Sequence, residues 1–458
     1  MKNHTAIMLF GFLLSSSFAF ADASPDMMAM LEKMQRQIAQ MQQTIDQQNL
    51  RIQQLESSRV PEKIEAPSTP PEAAPWLKGV KSAGDIRLRF ESFDYFDKSD
   101  AAGATDRSRN RFRIRLRWGL EKDFGDDWKA GFRLATGAVT DQTSQNVTLG
   151  NPGYFQYKTF LVDRAYVNYA PSALKDIGPL KAVNFGGGKV ENPFLRYSTG
   201  IVWDTDVTPE GIYEKADFRF IDTEKTKLNL FTTFGQFFVN EDSAADKDAE
   251  LIGYQGALNL STHMFGMDKP TDFTAGASYY DYPNWFQTVT ANSSGTSYLR
   301  TNTSALDDPR VLDIYPEIAF YAGNTPVTLW YDYAKNVGTI DPVRAAMNEA
   351  HADDDAWGLG FKIGKAKAKG SWELFYGYYE IAPNAVAAAF NDSDLGGPGG
   401  VGFTNRRGHK FGLSYQWTGS LTLGWTSFLV EPLYPTPVSA NSADESVVRS
   451  QFDASYKF

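Results

Sequence analysis

Apolar and polar residues alternate with a period of two over most of this chain, most sharply at residues 107–118. Arg107, Arg109, Arg111, Arg113, Arg115 and Arg117 hold the odd positions; Ser108, Asn110, Phe112, Ile114, Leu116 and Trp118 hold the even ones. Successive strand side chains point to opposite faces, so this segment predicts a strand with a guanidinium face and an apolar face. A helix would scatter the same residues around its axis. Two settings suit such a strand: the wall of a barrel between lipid and water, or the solvated face of a soluble sheet.

The rest of the chain decides between them. Strand-length segments recur near 83–93, 108–121, 127–137, 157–169, 181–189, 210–220, 225–236, 249–262, 271–282, 311–322, 325–335, 355–365, 370–381, 405–417, 420–430 and 446–458. The gaps between them alternate. Phe124-Gly125-Asp126, Gly323-Asn324, Ala366-Lys367-Ala368-Lys369 and Thr418-Gly419 are short, whereas 138–156, 190–209, 283–310, 336–354 and 382–404 are long. A soluble sandwich has no reason to sort loop length by parity, but a transmembrane barrel with short periplasmic turns and long outer loops does. The faces agree. Val448, Phe452, Ala454, Tyr456 and Phe458 oppose Arg449, Gln451, Asp453, Ser455 and Lys457; Trp357, Leu359, Phe361 and Ile363 oppose Gly358, Gly360, Lys362 and Gly364. Trp118, Trp128, Trp372 and Trp417 fall near short-turn ends, as an interfacial belt requires. The expected fold is an all-β membrane protein, a barrel of about sixteen antiparallel transmembrane strands spanning 80–458.

The N-terminal part has a different texture. Lys2, the apolar run 6–14 and the small-residue stretch ending Ala19-Phe20-Ala21 read as a signal peptide, 1–21, too short for a membrane anchor of about 20 apolar residues. Met27, Leu31, Met34, Ile38, Met41, Ile45, Gln48, Ile52 and Leu55 alternate spacings of four and three, a heptad seam on a helix within 22–58. The seam predicts a periplasmic α-helical coiled coil formed by self-association. A single helix packed on the barrel end is the other reading, and the heptads do not separate dimer from trimer. Segment 59–79, with Pro61, Pro67, Pro70, Pro71 and Pro75, reads as a semi-rigid linker.

Composition narrows the chemistry. The 458 residues include no Cys, which removes disulfides, thiolate metal sites and Cys nucleophiles. Aromatic residues make up 14% and Gly numbers 38, a load suited to a barrel wall and its girdles. The net charge of −10 argues against nucleic acid as a partner. The histidines, His4, His263, His351 and His409, have no partners at metal-ligand spacing, so no metal, no cofactor and no catalytic residue is expected. Only His409 qualifies as a candidate for Ser-His chemistry, and an enzyme is not the expected function. The acidic stretches Glu241-Asp242, Asp246–Asp248 and Asp353-Asp354-Asp355 are either solvated charge or sites for divalent cations bridging lipopolysaccharide.

With lipid on the apolar face, the Arg row faces the lumen, and a lumen holding those charges is wet. Loop 190–209 mixes Glu191, Asp204 and Asp206 with Phe194, Tyr197 and Trp203. Folding inward would bury its apolar residues, narrow the pore and set its acids against Arg87, Arg89, Arg111, Arg113, Arg115 and Arg133. Opposed charges across a narrow pore make a transverse field, which orients dipolar solutes and sets ion preference, here toward anions. The alternative is a surface loop, with the Arg row hydrated or paired to acids of neighbouring strands.

Five motifs carry a family likeness: Gly84-Asp85-Ile86-Arg87-Leu88-Arg89-Phe90-Glu91, the row Arg109 to Trp118, Trp128 to Gly137, Gly187-Gly188-Lys189-Val190-Glu191-Asn192-Pro193-Phe194, and Trp203-Asp204 to Pro209-Glu210-Gly211. Over about 80–220 the chain resembles the putative-porin family of Gram-negative bacteria. The resemblance implies a trimeric outer-membrane diffusion channel with a periplasmic N-terminal extension. In architecture the chain is also similar to phosphate-selective porins. Its third long loop lacks the Arg-Lys enrichment expected of those proteins, so phosphate specificity does not follow. The end of the chain, with Phe452, Tyr456 and Phe458 on one face, resembles the insertion signal that the barrel assembly machinery reads. The partners expected are outer-membrane lipid and lipopolysaccharide, that machinery, two further copies of the chain, and the cell wall through residues 25–57. The cell-wall contact offers an alternative structural function, that of a tether.

Overall fold

The computed structural model describes residues 25–57, 78–97, 107–194, 199–241, 243, 246–264, 268–285, 308–339, 353–396, 404–434 and 445–458. The signal-peptide segment, the linker as far as residue 77, and Tyr197 lie outside the described residues, as do the side chains of Met27, Leu31, Met34, Ile38 and Leu55. The chain divides into two units, Met1–Trp76 and Leu77–Phe458.

Among the described residues of the first unit, the helix α1 (Pro25–Ser57) covers the heptad segment. Met41, Ile45 and Ile52 of the seam are exposed on it.

The second unit is a closed antiparallel barrel. Its strands are β1 (Val80–Asp97), β2 (Arg107–Gly125), β3 (Trp128–Thr136), β4 (Val147–Thr148), β5 (Phe160–Tyr169), β6 (Leu180–Lys189), β7 (Glu210–Asp222), β8 (Thr226–Asn240), β9 (Ala249–Thr262), β10 (Thr271–Asp281), β11 (Arg310–Ala322), β12 (Thr325–Asn336), β13 (Asp355–Gly364), β14 (Trp372–Ile381), β15 (Arg406–Gln416), β16 (Leu421–Pro432) and β17 (Glu445–Lys457). Sixteen of them build the wall, each pairing with its neighbours in sequence. The two-residue β4 belongs to the loop after β3: it pairs with Arg113 and Ile114 of β2, above the point where β3 stops. All sixteen wall strands coincide with expected segments. Short and long connections alternate except that the outer connection 241–248 is no longer than the turn 263–270, and 170–179, with its short 3-10 turn, is as long as the shorter outer connections.

β1 closes the barrel on β17, in a register running from Asp85↔Lys457 to Asp97↔Glu445. Gly84 and Phe458 exchange backbone hydrogen bonds of 3.0 Å in both directions. A Cβ at position 84 would lie 2.6 Å from the Phe458 ring, so the seam closes tightly only over glycine.

The outer face is apolar. Phe112, Leu258, Leu329, Leu413, Trp425 and Phe452 are exposed on it, and Trp128, Trp372 and Trp417 are exposed near the short-turn end. Trp128 stacks on Tyr169 at 4.5 Å. The lumen holds an apolar cluster as well as the Arg row. The cluster joins Phe237, Tyr280, Trp330 and Tyr379 of the wall to two loops, 190–209 and 382–396. The inward course of the second loop was not expected. Apolar loop residues that would be costly in water are covered by folding into the barrel, where inward wall aromatics receive them.

Candidate functional site: the lumenal charge wall and its loops

The site is built on β17, β1 and β2, whose registers stack their inward residues in levels. From the short-turn end these are Lys457, Asp85 and Arg117; Ser455, Arg87 and Arg115; Asp453, Arg89 and Arg113; and Gln451, Glu91 and Arg111. Above them Arg449 lies across from Phe93. The period of two brings every odd residue of β1 and β2 to one face, and antiparallel pairing sets the acids of β1 and β17 among the Arg of β2.

The arginines are therefore mostly paired. Asp85 accepts from Arg115 at 2.7 Å and Arg117 at 2.6 Å. Asp453 takes Arg89 in a two-pronged contact, both at 2.7 Å. Glu91 is 0% exposed and gathers Arg449 (2.8 Å), Arg89 (3.5 Å), Arg113 (3.7 Å) and Arg111. Arg133 pairs with Asp163 of β5. Arg87 differs: its Nη2 donates to Asn146 Oδ1 at 2.6 Å, and it has no carboxylate at ion-pair distance among the described residues. The bare basic wall facing an acidic loop thus becomes an interleaved lattice, because acids on the neighbouring strands lie closer than any loop.

Loop 190–209 does enter the lumen. Phe194 is 1% exposed and sits edge-on to Tyr280 at 5.2 Å and Phe237 at 6.1 Å. Gly253 and Gly235 leave room for it; a Cβ at 253 would be 2.4 Å from its ring. The three expected acids go different ways. Asp206 interacts electrostatically with Arg87 and Arg115. Glu191 pairs with Arg164 at 2.9 Å and is largely exposed. Asp204 does not face the Arg row: its Oδ2 accepts from the Ser393 amide at 3.2 Å, and its own amide donates to the Phe390 carbonyl at 2.6 Å. Its partner is the second inward loop.

Loop 382–396 was missed by the sequence reading, along with Asp392 and Asp394. Asp394 pairs with Arg449 at 2.7 Å and Arg89 at 3.5 Å, and Asp392 pairs with Lys410 at 2.9 Å. Its signal was present: an apolar run, Ala385 to Phe390, on a long loop, the same feature that singled out 190–209. Between the loops and the wall an outer vestibule of about 990 Å³ remains, lined in part by Gln145, Asp163, Asp206, Phe237, Trp285 and Phe390. His409 bonds Tyr376 Oη at 3.0 Å and is packed among aromatic rings.

A family model described as a putative porin matches residues 97–336 and 307–442. The chain belongs to this porin family. The porin is accordingly an outer-membrane channel and not an enzyme. Among solved structures it is similar to the high-pH structure of Pseudomonas putida OprB, at 12% identity and a TM-score of 0.48 over 83% of this chain and 94% of that one. It is also similar to an anion-selective porin from Comamonas acidovorans, at 12% identity and a TM-score of 0.44 over 83% of this chain and 99% of the other. No curated protein sequence matches the porin.

Burial pushes the Asp204 carboxyl well above its ordinary value of 3.8, and the neighbouring Asp392 and Asp206 add to the shift. If the loops part, Asp204 returns to water and to its ordinary value. The joined loops therefore bind the proton more tightly than the parted ones. Their contact is strongest below the ordinary value and weakens as pH rises through the raised one. Single-channel conductance is expected to be lower at pH 4 than at neutrality, and Asp204→Asn should hold the low-conductance state at both. A variant whose pH dependence equals that of the wild type would remove Asp204 from this role.

Proposed function

We propose that the porin passes small hydrophilic solutes and ions by passive diffusion, with a weak anion preference set by the lumenal Arg ladder. The observation that carries this reading is Arg87, which has no carboxylate at ion-pair distance among the described residues, while Asp85, Glu91 and Asp453 neutralise much of the row around it. A mostly compensated wall gives a modest field, and a less compensated cation at the level of Ser455 and Arg115 gives it a sign.

The test is planar-bilayer recording with reversal potentials in a salt gradient. Wild-type protein should favour anions weakly. Arg87→Gln should lower the anion-to-cation permeability ratio by about two- to fivefold, the effect of removing one charge from a confined pore. A cation-selective wild type, or a variant with an unchanged ratio, would sink the role given to Arg87.

In this reading residues 1–21 are removed as a signal peptide, 22–58 form a periplasmic coiled coil, 59–79 link it to the barrel, and the chain assembles as a trimer. The uncovered seam residues Met41, Ile45 and Ile52 support self-association, as do Tyr154, Phe155 and Tyr157, which are 98%, 103% and 103% exposed on the loop after β3. Phe452 and Tyr456, exposed on the outer face of β17, and Phe458, exposed just after it, suit the assembly machinery's signal.

A further inference from the structure

We propose that loop 382–396 is a second constriction element of this channel and that Asp394 on it is a specificity-determining residue, lowering anion preference by cancelling lumenal arginine charge. The proposal rests on the channel reading above.

The loop behaves as a strap. It leaves the wall at the end of β14 and is fastened to several other elements. Near its start, Asn336 Nδ2 of β12 donates to the Asn384 carbonyl at 3.0 Å. At its middle, Gln142 Nε2 donates to the Ala389 carbonyl at 2.8 Å, which ties in the loop after β3. The Asp392 amide donates to the Gly200 carbonyl at 2.9 Å, which ties in loop 190–209. At its far end Asp394 reaches β17 and β1 through Arg449 and Arg89, and Arg449 Nη1 also donates to the Asp394 carbonyl at 3.3 Å.

Its composition suits this path. Ala382, Ala385, Val386, Ala387, Ala388 and Ala389 are all buried, and their small side chains let the backbone pass through a crowded lumen. Gly200 has φ +92°, and a Cβ there would stand 2.7 Å from that of Asp392, so the crossing of the two loops also depends on the absence of a side chain.

The charge argument follows from the pairs. Without Asp394, Arg449 and Arg89 would share Glu91 and Asp453 with Arg111 and Arg113. The same wall would then present one more uncompensated cation to the lumen. Asp394 is brought to that wall by a loop rather than a strand, so the strap narrows the opening and adjusts its charge with one structure.

Two variants test the two claims. Asp394→Asn keeps the shape of the side chain and removes its charge. The expected result is an anion-to-cation permeability ratio raised by about two- to fivefold, with Asp394→Glu restoring the wild-type ratio. Replacing 385–391 by a Gly/Ser segment of equal length removes the packed strap while leaving the wall. Its expected result is a larger single-channel conductance.

An unchanged ratio in conducting Asp394→Asn channels overturns the specificity claim, and an unchanged conductance in the Gly/Ser channel overturns the constriction claim. If Asp394→Asn fails to assemble, the ratio is read in the Gly/Ser channel, where the fastening of Asp394 is lost; no rise there counts against the claim. A wild-type barrel that inserts but does not conduct is a different outcome. It refutes the channel reading itself and leaves neither variant with an effect to produce.

Discussion

Glu91→Gln is expected to destabilise the barrel by about 3–5 kcal/mol, the cost of breaking a buried ion pair by removing one partner. The Glu91 carboxylate has no exposed surface and gathers Arg449, Arg89, Arg113 and Arg111. It also accepts from Gln451 Nε2 at 3.2 Å. A glutamine offers one acceptor oxygen and no charge, so guanidinium groups from three strands lose their common counter-ion in a site that water does not reach. Asp453 and Asp394 relieve only Arg89 and Arg449. The strands concerned, β17, β1 and β2, include the closing seam, so the loss falls on barrel closure. The measurement is urea unfolding of the refolded barrel, with heat-dependent gel mobility as a second reading. A variant as stable as the wild type would mean that water solvates these arginines.

Phe194→Ala is the second large effect, a loss of about 3–5 kcal/mol in the docking of loop 190–209. The ring is almost fully buried, touches Tyr280 and Phe237 edge-on, and fills space kept open by Gly253 and Gly235. Truncation leaves a cavity lined by rigid wall residues that have no means of collapsing. The loop should then leave its seat for part of the time, with larger and noisier single-channel currents. Gly253→Val approaches the same seat from the wall: its side chain occupies the place of the ring, and the same change in current is expected. Both variants leave the lipid-facing surface untouched, so membrane insertion should be normal. Currents equal to those of the wild type in both would mean that loop 190–209 does not limit the pore.

The strands, their faces and the direction of the Arg row are determined by the sequence alone. A period of two is a local property, and one apolar face in every segment has a single consistent solution, a closed wall with lipid outside. Loop parity is equally local, which is why all sixteen wall strands and the inward orientation of Arg87, Arg89, Arg111, Arg113 and Arg115 could be read without coordinates. Pairing is not local. Glu91 and Arg449 are separated by 358 positions, and only the closing register of β1 on β17 brings them within 2.8 Å. Asp204 was readable as an acid on an inward loop. Its turn toward Ser393, 189 positions away, depended on where a second loop would lie. That loop announced itself only as an apolar run. Whether such a run crosses the lumen, and which charge it delivers to the opposite wall, is a matter of packing among elements far apart in the chain. Tertiary structure alone decided that the Arg row is mostly neutralised.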